Sequence, residues 1–176
     1  ALRDGPRGEG ERLGHGGQAR RQLTLTSWTV EKCREYIQER RDPTVPFFLW
    51  CSFAKPHPPF DPPEPYYSMY RDAAIPPAVR GDWNEPGRVP EAFARQRDNY
   101  CCHLYQGELL RAARAAYYGM ITHIDHAIGR LMGALLEVTE AAHQGLTDAL
   151  VLFTSDHGEY LGDHGSISKS FLHEVS

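Results

Sequence analysis

No apolar run in this chain approaches the roughly 20 residues of a membrane-spanning helix, so its sequence contains no candidate transmembrane segment. Basic charge is not in excess. Lys and Arg number 19 against 23 Asp and Glu, giving a net charge of −4 and a pI near 6.1. That balance leaves no electrostatic footprint for nucleic acid or an anionic membrane. Cysteine is scarce, and its placement suits neither a disulfide scaffold nor a zinc ribbon. Of the four, Cys101 and Cys102 are adjacent, Cys33 and Cys51 stand alone, and no C-x-x-C spacing occurs. This usage favours a reducing compartment, cytoplasmic rather than periplasmic or secreted. The chain also lacks an initial methionine and a signal-peptide pattern, so Ala1 is not expected to be the gene's own start. Apolar side chains are nearly absent from Ala1 to Arg21, where Gly and Arg dominate, and residues 1–23 are expected to be disordered or poorly defined.

What is present is ordinary for a globular protein: 176 residues, 41% hydrophobic and 24% charged, enough for one domain with a sizeable core. From Ser27 to Arg41 the pattern is helical, with Val30, Cys33 and Ile37 at spacings of three and four, Thr26 or Ser27 as cap, and Pro43 as stop. Pro46 to Phe53 is a continuous apolar run and reads as a strand covered on both faces. It ends in a loop with six prolines between positions 56 and 65, which excludes helix and central strand. His57 sits in that stiff loop, either as a structural histidine between prolines or facing a substrate. Tyr66 to Gln106 reads as a connecting excursion.

Glu108 to Glu140 is the longest helical stretch, with Tyr117, Ile121, Ile124, Ile128, Leu131 and Leu135 forming its stripe. His123, Asp125 and His126 flank that stripe. Helix histidines so placed are more often surface or hydrogen-bonded groups than metal ligands.

The stretch that gives the chain its chemistry is Ala149 to Gly165. Ala149 to Thr154 reads as a second buried strand, breaking into Ser155-Asp156-His157-Gly158. In open α/β sheets, ligands sit beyond the carboxyl ends of the strands. Asp-His-Gly recurs at Asp163-His164-Gly165, and spacing alone does not say which copy binds. The order helix, strand, loop, long helix, strand predicts an α/β fold with parallel strands at 47–53 and 149–154. Two interior strands need neighbours on each side, so the sheet is expected to be partial and the domain incomplete.

Three blocks, PFFLWCSFAKPHPPFDPPEPYYSMY, AAYYGMITHIDHAIGRLMGALLE and LVLFTSDHGEYLGDHGSISKSFLHE, resemble consecutive blocks of the formylglycine-dependent sulfatases of the alkaline-phosphatase superfamily. The likeness runs from about Thr24 to the end. It implies an alkaline-phosphatase-like partial sheet flanked by helices, with residues 24–176 a partial sulfatase catalytic domain. It also implies that Asp156 and His157 complete a divalent metal site. Calcium is usual there, but the ring nitrogen leaves manganese or another ion open. His57 would contact the sulfate, and Lys169 the sulfate and the leaving oxygen. All four would converge on one pocket. The implied substrate is a sulfate-ester small molecule or glycan. In the implied reaction, hydrated formylglycine attacks sulfur, the alcohol leaves, and the remaining hydroxyl expels sulfate.

The departures from the family pattern matter equally. The nucleophile motif Cys-x-Pro-Ser-Arg does not occur around any of the four cysteines, and the family's early aspartate pair is also absent. Ser166-Ile167-Ser168 stands where an aromatic or glycine is more familiar. The chain is therefore expected to be an interior fragment, inactive alone, of a sulfuric-ester hydrolase whose formylglycine lies N-terminal to it. The alternatives are a phosphonate or phosphate-ester hydrolase of the same superfamily, or a non-catalytic binding or structural module.

Overall fold

The computed structural model of the chain describes residues 24–81, 85, 87–141 and 149–169. The segment expected to be disordered, 1–23, lies outside the described residues. The stretch read as one partial domain divides into two units, residues 1–69 with 117–150 and residues 70–116 with 151–176.

In the first unit, helix α1 covers Leu25–Glu35 and continues as a π-helical turn over Tyr36–Arg40. Its cap is Thr24, one turn earlier than Thr26 or Ser27. The Thr24 hydroxyl accepts the Ser27 N–H at 3.2 Å, satisfying one of the donors a helix start leaves unpaired. Val30, Cys33 and Ile37 are buried, as their spacing predicts. Thr26 and Ser27 are buried as well, because this end of α1 lies against the long helix α4, Gly107–Ala141. Ser27 Oγ is 3.3 Å from His123 Nε2, and Gln38 donates to Glu137 at 2.9 Å.

The buried line of α4 differs from the predicted stripe. Ile124 and Leu135 are buried, but so are Met120, Ala127 and Ala134, while Ile121 is 44% exposed. Small side chains let neighbours approach, so the close-packed line follows alanines that a search for large apolar residues passes over. At Gly119 a Cβ would stand 2.8 Å from the Tyr66 carbonyl oxygen. The chain entering the short helix α2, Tyr66–Arg71, therefore lies directly on the α4 backbone.

The expected strand at 47–53 is not one. Its backbone forms no ladder among the described residues, and its cover is one-sided. Leu49, Cys51 and Phe53 are half-buried, whereas Phe48 and Trp50 are 82% and 76% exposed. The covered side meets α1: Phe47 packs edge-on to Tyr36 with ring centroids 6.2 Å apart, and Cys51 contacts the Cys33 thiol. The segment at 149–154 is likewise no strand, and Leu150, Leu152 and Phe153 are all more than four-fifths exposed. Strand identity requires a paired backbone as well as suitable side chains. Neither segment has a ladder partner among the described residues, so the parallel sheet is not present there.

The second unit contains helix α3, Glu91–Asn99, and the first ten residues of α4. The region 66–106 is thus more than connecting loop. Pro90, with ψ 139°, is the N-cap just ahead of α3, and Phe93 and Gln96, three apart, are the helix's buried side. One large anchor on a nine-residue helix leaves little periodicity to read. Phe93 meets Tyr160, which is 1% exposed, in a T-shaped contact at 6.1 Å.

Candidate functional site

In the first unit, six prolines strip the loop after Ala54 of N–H donors while its carbonyls remain. Lys55 supplies what they lack. Its ammonium donates to the carbonyls of Pro59 at 2.6 Å and His57 at 3.4 Å, and pairs with Asp61. The His57 N–H donates to the Ala54 carbonyl at 3.2 Å. Its ring Nδ1 lies 2.9 Å from the Pro58 carbonyl. A carbonyl only accepts, so Nδ1 carries the proton, and Nε2 is the nitrogen left for a ligand. The side chain is exposed. Lys55 escaped the sequence reading, and the signal for it was a lone ammonium at the mouth of a donor-poor loop.

The first unit also has a cleft of about 820 Å³ lined by Ser27, Tyr66, His123, Asp125 and His126 among others. None of the four predicted site residues lines it. His123 is buried and stacks on Tyr66 at 4.7 Å, and His126 Nδ1 lies 3.2 Å from the Tyr66 hydroxyl. These histidines are partners in packing. Among the described residues no three His, Cys, Asp or Glu side chains gather as a metal site.

In the second unit, Asp156 and His157 follow the extended segment directly. His157 Nδ1 lies 2.8 Å from the Gly158 carbonyl, which again puts the proton on Nδ1. Nε2 lies 3.4 Å from Asp156 Oδ2. The backbone N–H of His157 donates to Asp156 Oδ1 at 3.0 Å, fixing the carboxylate against the ring. Two donor atoms at that separation suit adjacent ligands on one divalent ion. Bonds of about 2.3–2.4 Å meeting near a right angle would put them about 3.3 Å apart. A carbonyl holding the far ring nitrogen is the usual support of a ligating imidazole. The donors present therefore fit a cation as two of its ligands.

After His157 the chain makes a closed loop that returns to its start. Tyr160 N–H donates to the Ser168 carbonyl at 3.0 Å and Gly162 N–H to the Ser166 carbonyl at 2.7 Å. A 3₁₀ turn over Asp163–Gly165 forms the tip. Gly162 has φ +94°, and a Cβ there would lie 2.6 Å from the Leu110 side chain. The second Asp-His-Gly copy is absorbed by this fold. Asp163 Oδ1 accepts the Val79 N–H at 2.8 Å and faces Arg114 at 3.5 Å. His164 N–H donates to the Val79 carbonyl at 2.7 Å, and Arg97 donates to the His164 carbonyl.

The returning arm brings Lys169 beside Glu159. The Lys169 carbonyl accepts from Gln96, and the Ser168 N–H donates to the Glu159 carboxylate. Burial pushes the Glu159 carboxyl up. The N–H groups of Ser168 and Leu161 oppose that rise, followed by the charges of Lys169 and His157. Glu159 thus shares an electrostatic neighbourhood with two predicted site residues. It too escaped the sequence reading, although it continues the same Asp-His-Gly run. Asp156, His157 and Lys169 belong to the second unit and His57 to the first.

The profile of the sulfatase family matches residues 18–174. An arylsulfatase of Clostridium perfringens is 41% identical over 155 residues, covering 88% of this chain and 30% of that protein. A multifunctional alkaline phosphatase superfamily protein of Trinickia caryophylli is 31% identical over 167 residues, covering 85% and 30%. Human iduronate 2-sulfatase is 28% identical over 154 residues, covering 80% and 27%. Among solved structures, the phosphonate monoester hydrolase of Agrobacterium radiobacter superposes with a TM-score of 0.67 at 29% identity, covering 88% of this chain and 31% of that one. The chain spans about 30% of the length of the curated relatives it matches. With a family match over nearly its whole length, the chain belongs to the sulfatase family, within the alkaline-phosphatase superfamily.

Proposed function

We propose that the whole protein hydrolyses sulfate esters of small molecules or glycans, and that this chain contributes four groups to its active site. Asp156 and His157 would be two ligands of a divalent metal, calcium or manganese. His57 and Lys169 would each contact sulfate oxygens. The observation that carries this reading is the donor pair, Asp156 Oδ2 and His157 Nε2 at 3.4 Å, with the far ring nitrogen on the Gly158 carbonyl. When bound, the metal supplies positive charge at a sulfate oxygen. A formylglycine, generated elsewhere in the protein, supplies the hydroxyl nucleophile. The residues of this chain bind and orient. His57 would donate to a sulfate oxygen from Nε2–H in its imidazolium form, while its Nδ1–H stays on the Pro58 carbonyl. Lys169 brings a compact cation to the oxygen that gains charge as the alcohol departs.

A second reading is favoured by the structural likeness to a phosphonate monoester hydrolase, since a phosphonate monoester presents a similar tetrahedral anion to the same groups. Purified whole protein, assayed with an aryl sulfate and the matching aryl phosphonate, separates the two. Sulfate turnover that exceeds phosphonate turnover and is abolished by Asp156→Ala is the expected result. Phosphonate preference would establish the second reading, and equal activity of Asp156→Ala and the unmutated protein would remove the metal pair.

A further inference from the structure

We propose that Glu159 is a positioning residue, which directs Lys169 by holding Ser168 in a left-handed backbone conformation. The proposal rests on the hydrolase reading for the importance of Lys169. Ser168 has φ +78°, a region that a residue with a Cβ avoids. Such a conformation persists only where its surroundings over-determine it. Here the restraints can be named. The Ser168 N–H donates to the Glu159 carboxylate, the Ser168 carbonyl accepts the Tyr160 N–H at 3.0 Å, and the next carbonyl, that of Lys169, accepts from Gln96. Tyr160 is itself immobilised by burial against Phe93, so the base of the loop is a fixed platform.

Of these restraints only Glu159 acts through a carboxylate that ties the loop's two arms together. It also accepts from the Leu161 N–H on the outgoing arm, while Ser168 lies on the returning one. A carboxylate's two oxygens allow each donor its own acceptor. The left-handed residue immediately precedes Lys169, so its φ sets the direction in which the chain, and with it the lysine stem, leaves the loop. A relaxed Ser168 would redirect Lys169 while leaving Asp156 and His157, on the other arm, where they are. The Lys169 charge also favours the ionised Glu159 carboxylate, an attraction in the same sense.

The test uses Glu159→Gln in the whole protein. The amide keeps the shape but presents one acceptor oxygen to two N–H donors, and it removes the charge. We expect kcat for an aryl sulfate to fall about tenfold with KM within about twofold, because the bound state keeps its other contacts. Adding Ser168→Gly should recover at least about threefold of that loss, since glycine enters the left-handed region without steric cost. A purely structural role for Glu159 would not be rescued in this way. Amide exchange at Ser168, measured in the chain itself, should quicken about tenfold in Glu159→Gln. An active parent whose Glu159→Gln variant keeps kcat within twofold overturns the proposal, as does a double variant no better than the single one. Unchanged exchange at Ser168 overturns the restraint whatever the activity. Absence of ester turnover in the unmutated protein overturns the hydrolase reading instead, and with it the role given to Lys169.

Discussion

Gly119→Ala should destabilise the chain even though it places a better helix former in the middle of a helix. In an open helical position the replacement gains about 0.5–1 kcal/mol, because glycine loses more backbone freedom on folding. Gly129 and Gly133, on the same helix, are such positions, with nothing within 4 Å of a new Cβ. At Gly119 the added carbon would stand 2.8 Å from the Tyr66 carbonyl oxygen, 3.0 Å from its carbon and 3.2 Å from Pro62 Cβ. The first two are backbone atoms, which cannot rotate away. The helix and the entry to α2 must separate, and overpacking of this kind costs about 1–3 kcal/mol. The strain also reaches Tyr66, the residue that stacks on His123 and meets His126. The net expectation is a loss of about 1–2 kcal/mol for Gly119→Ala against a gain of about 0.5–1 kcal/mol for Gly129→Ala. For a chain of this size the two variants should differ by roughly 3–12 °C in melting temperature. Thermal unfolding followed by helical circular dichroism reads the difference directly. Gly119→Ala melting at or above Gly129→Ala would refute the close packing of α4 on the α2 entry.

The remaining expectations address the thiols, the metal pair and the loop. Burial, with the Cys33 thiol beside it, pushes the Cys51 thiol up to about 12, so iodoacetamide at pH 9 should label exposed Cys101 well before Cys51. The sign of the linked effect follows: an unfolded Cys51 gives up its proton near 9 and the folded one does not, so stability should fall as pH climbs from about 9 toward 12. The chain alone should show no aryl sulfatase turnover above background and only weak calcium binding by calorimetry, since Asp156 and His157 offer two ligands. Turnover that Asp156→Ala abolishes, or tight binding, would contradict this. Asp163→Ala should lower stability by about 1–2 kcal/mol through the lost Val79 N–H bond and Arg114 pairing. Asp156→Ala, whose side chain is 86% exposed, should leave the melting temperature within a degree or so.

The helices were legible in the sequence where their periodicity was long. Val30, Cys33 and Ile37 read correctly as the buried face of α1, and the bounds of α4 came within a residue of Glu108 and Glu140. The packed line of α4 was less legible, because Ala127, Ala134 and Gly119 carry contact geometry without carrying hydrophobicity. The short α3 offered one buried aromatic and no repeat. The apolar runs at 47–53 and 149–154 read as strands because side chains report the environment a segment suits, whereas a ladder depends on a neighbouring backbone. Lys55 and Glu159 were overlooked for a related reason. Each works by satisfying backbone groups of its own loop, and single-residue chemistry does not reveal which carbonyls or amides lack a partner.

The two Asp-His-Gly copies show how far environment, rather than residue type, assigns a role. In the first, every stabilising contact is local: Asp156 to the N–H of His157, and the His157 ring to the carbonyl of Gly158. Those bonds orient the side chains and leave a carboxylate oxygen and a ring nitrogen facing each other. In the second copy the contacts reach far along the chain. Asp163 and His164 both bond Val79, and Arg97 and Arg114 close on the same turn. A carboxylate committed to a buried guanidinium and a backbone N–H cannot turn to a cation without giving up both contacts. The second copy is therefore the anchor that closes the loop, and the closed loop is what returns Lys169 to the neighbourhood of Glu159. Within one repeated tripeptide, the copy with distant partners builds the loop, and the copy with only local ones keeps its side chains uncommitted to the fold.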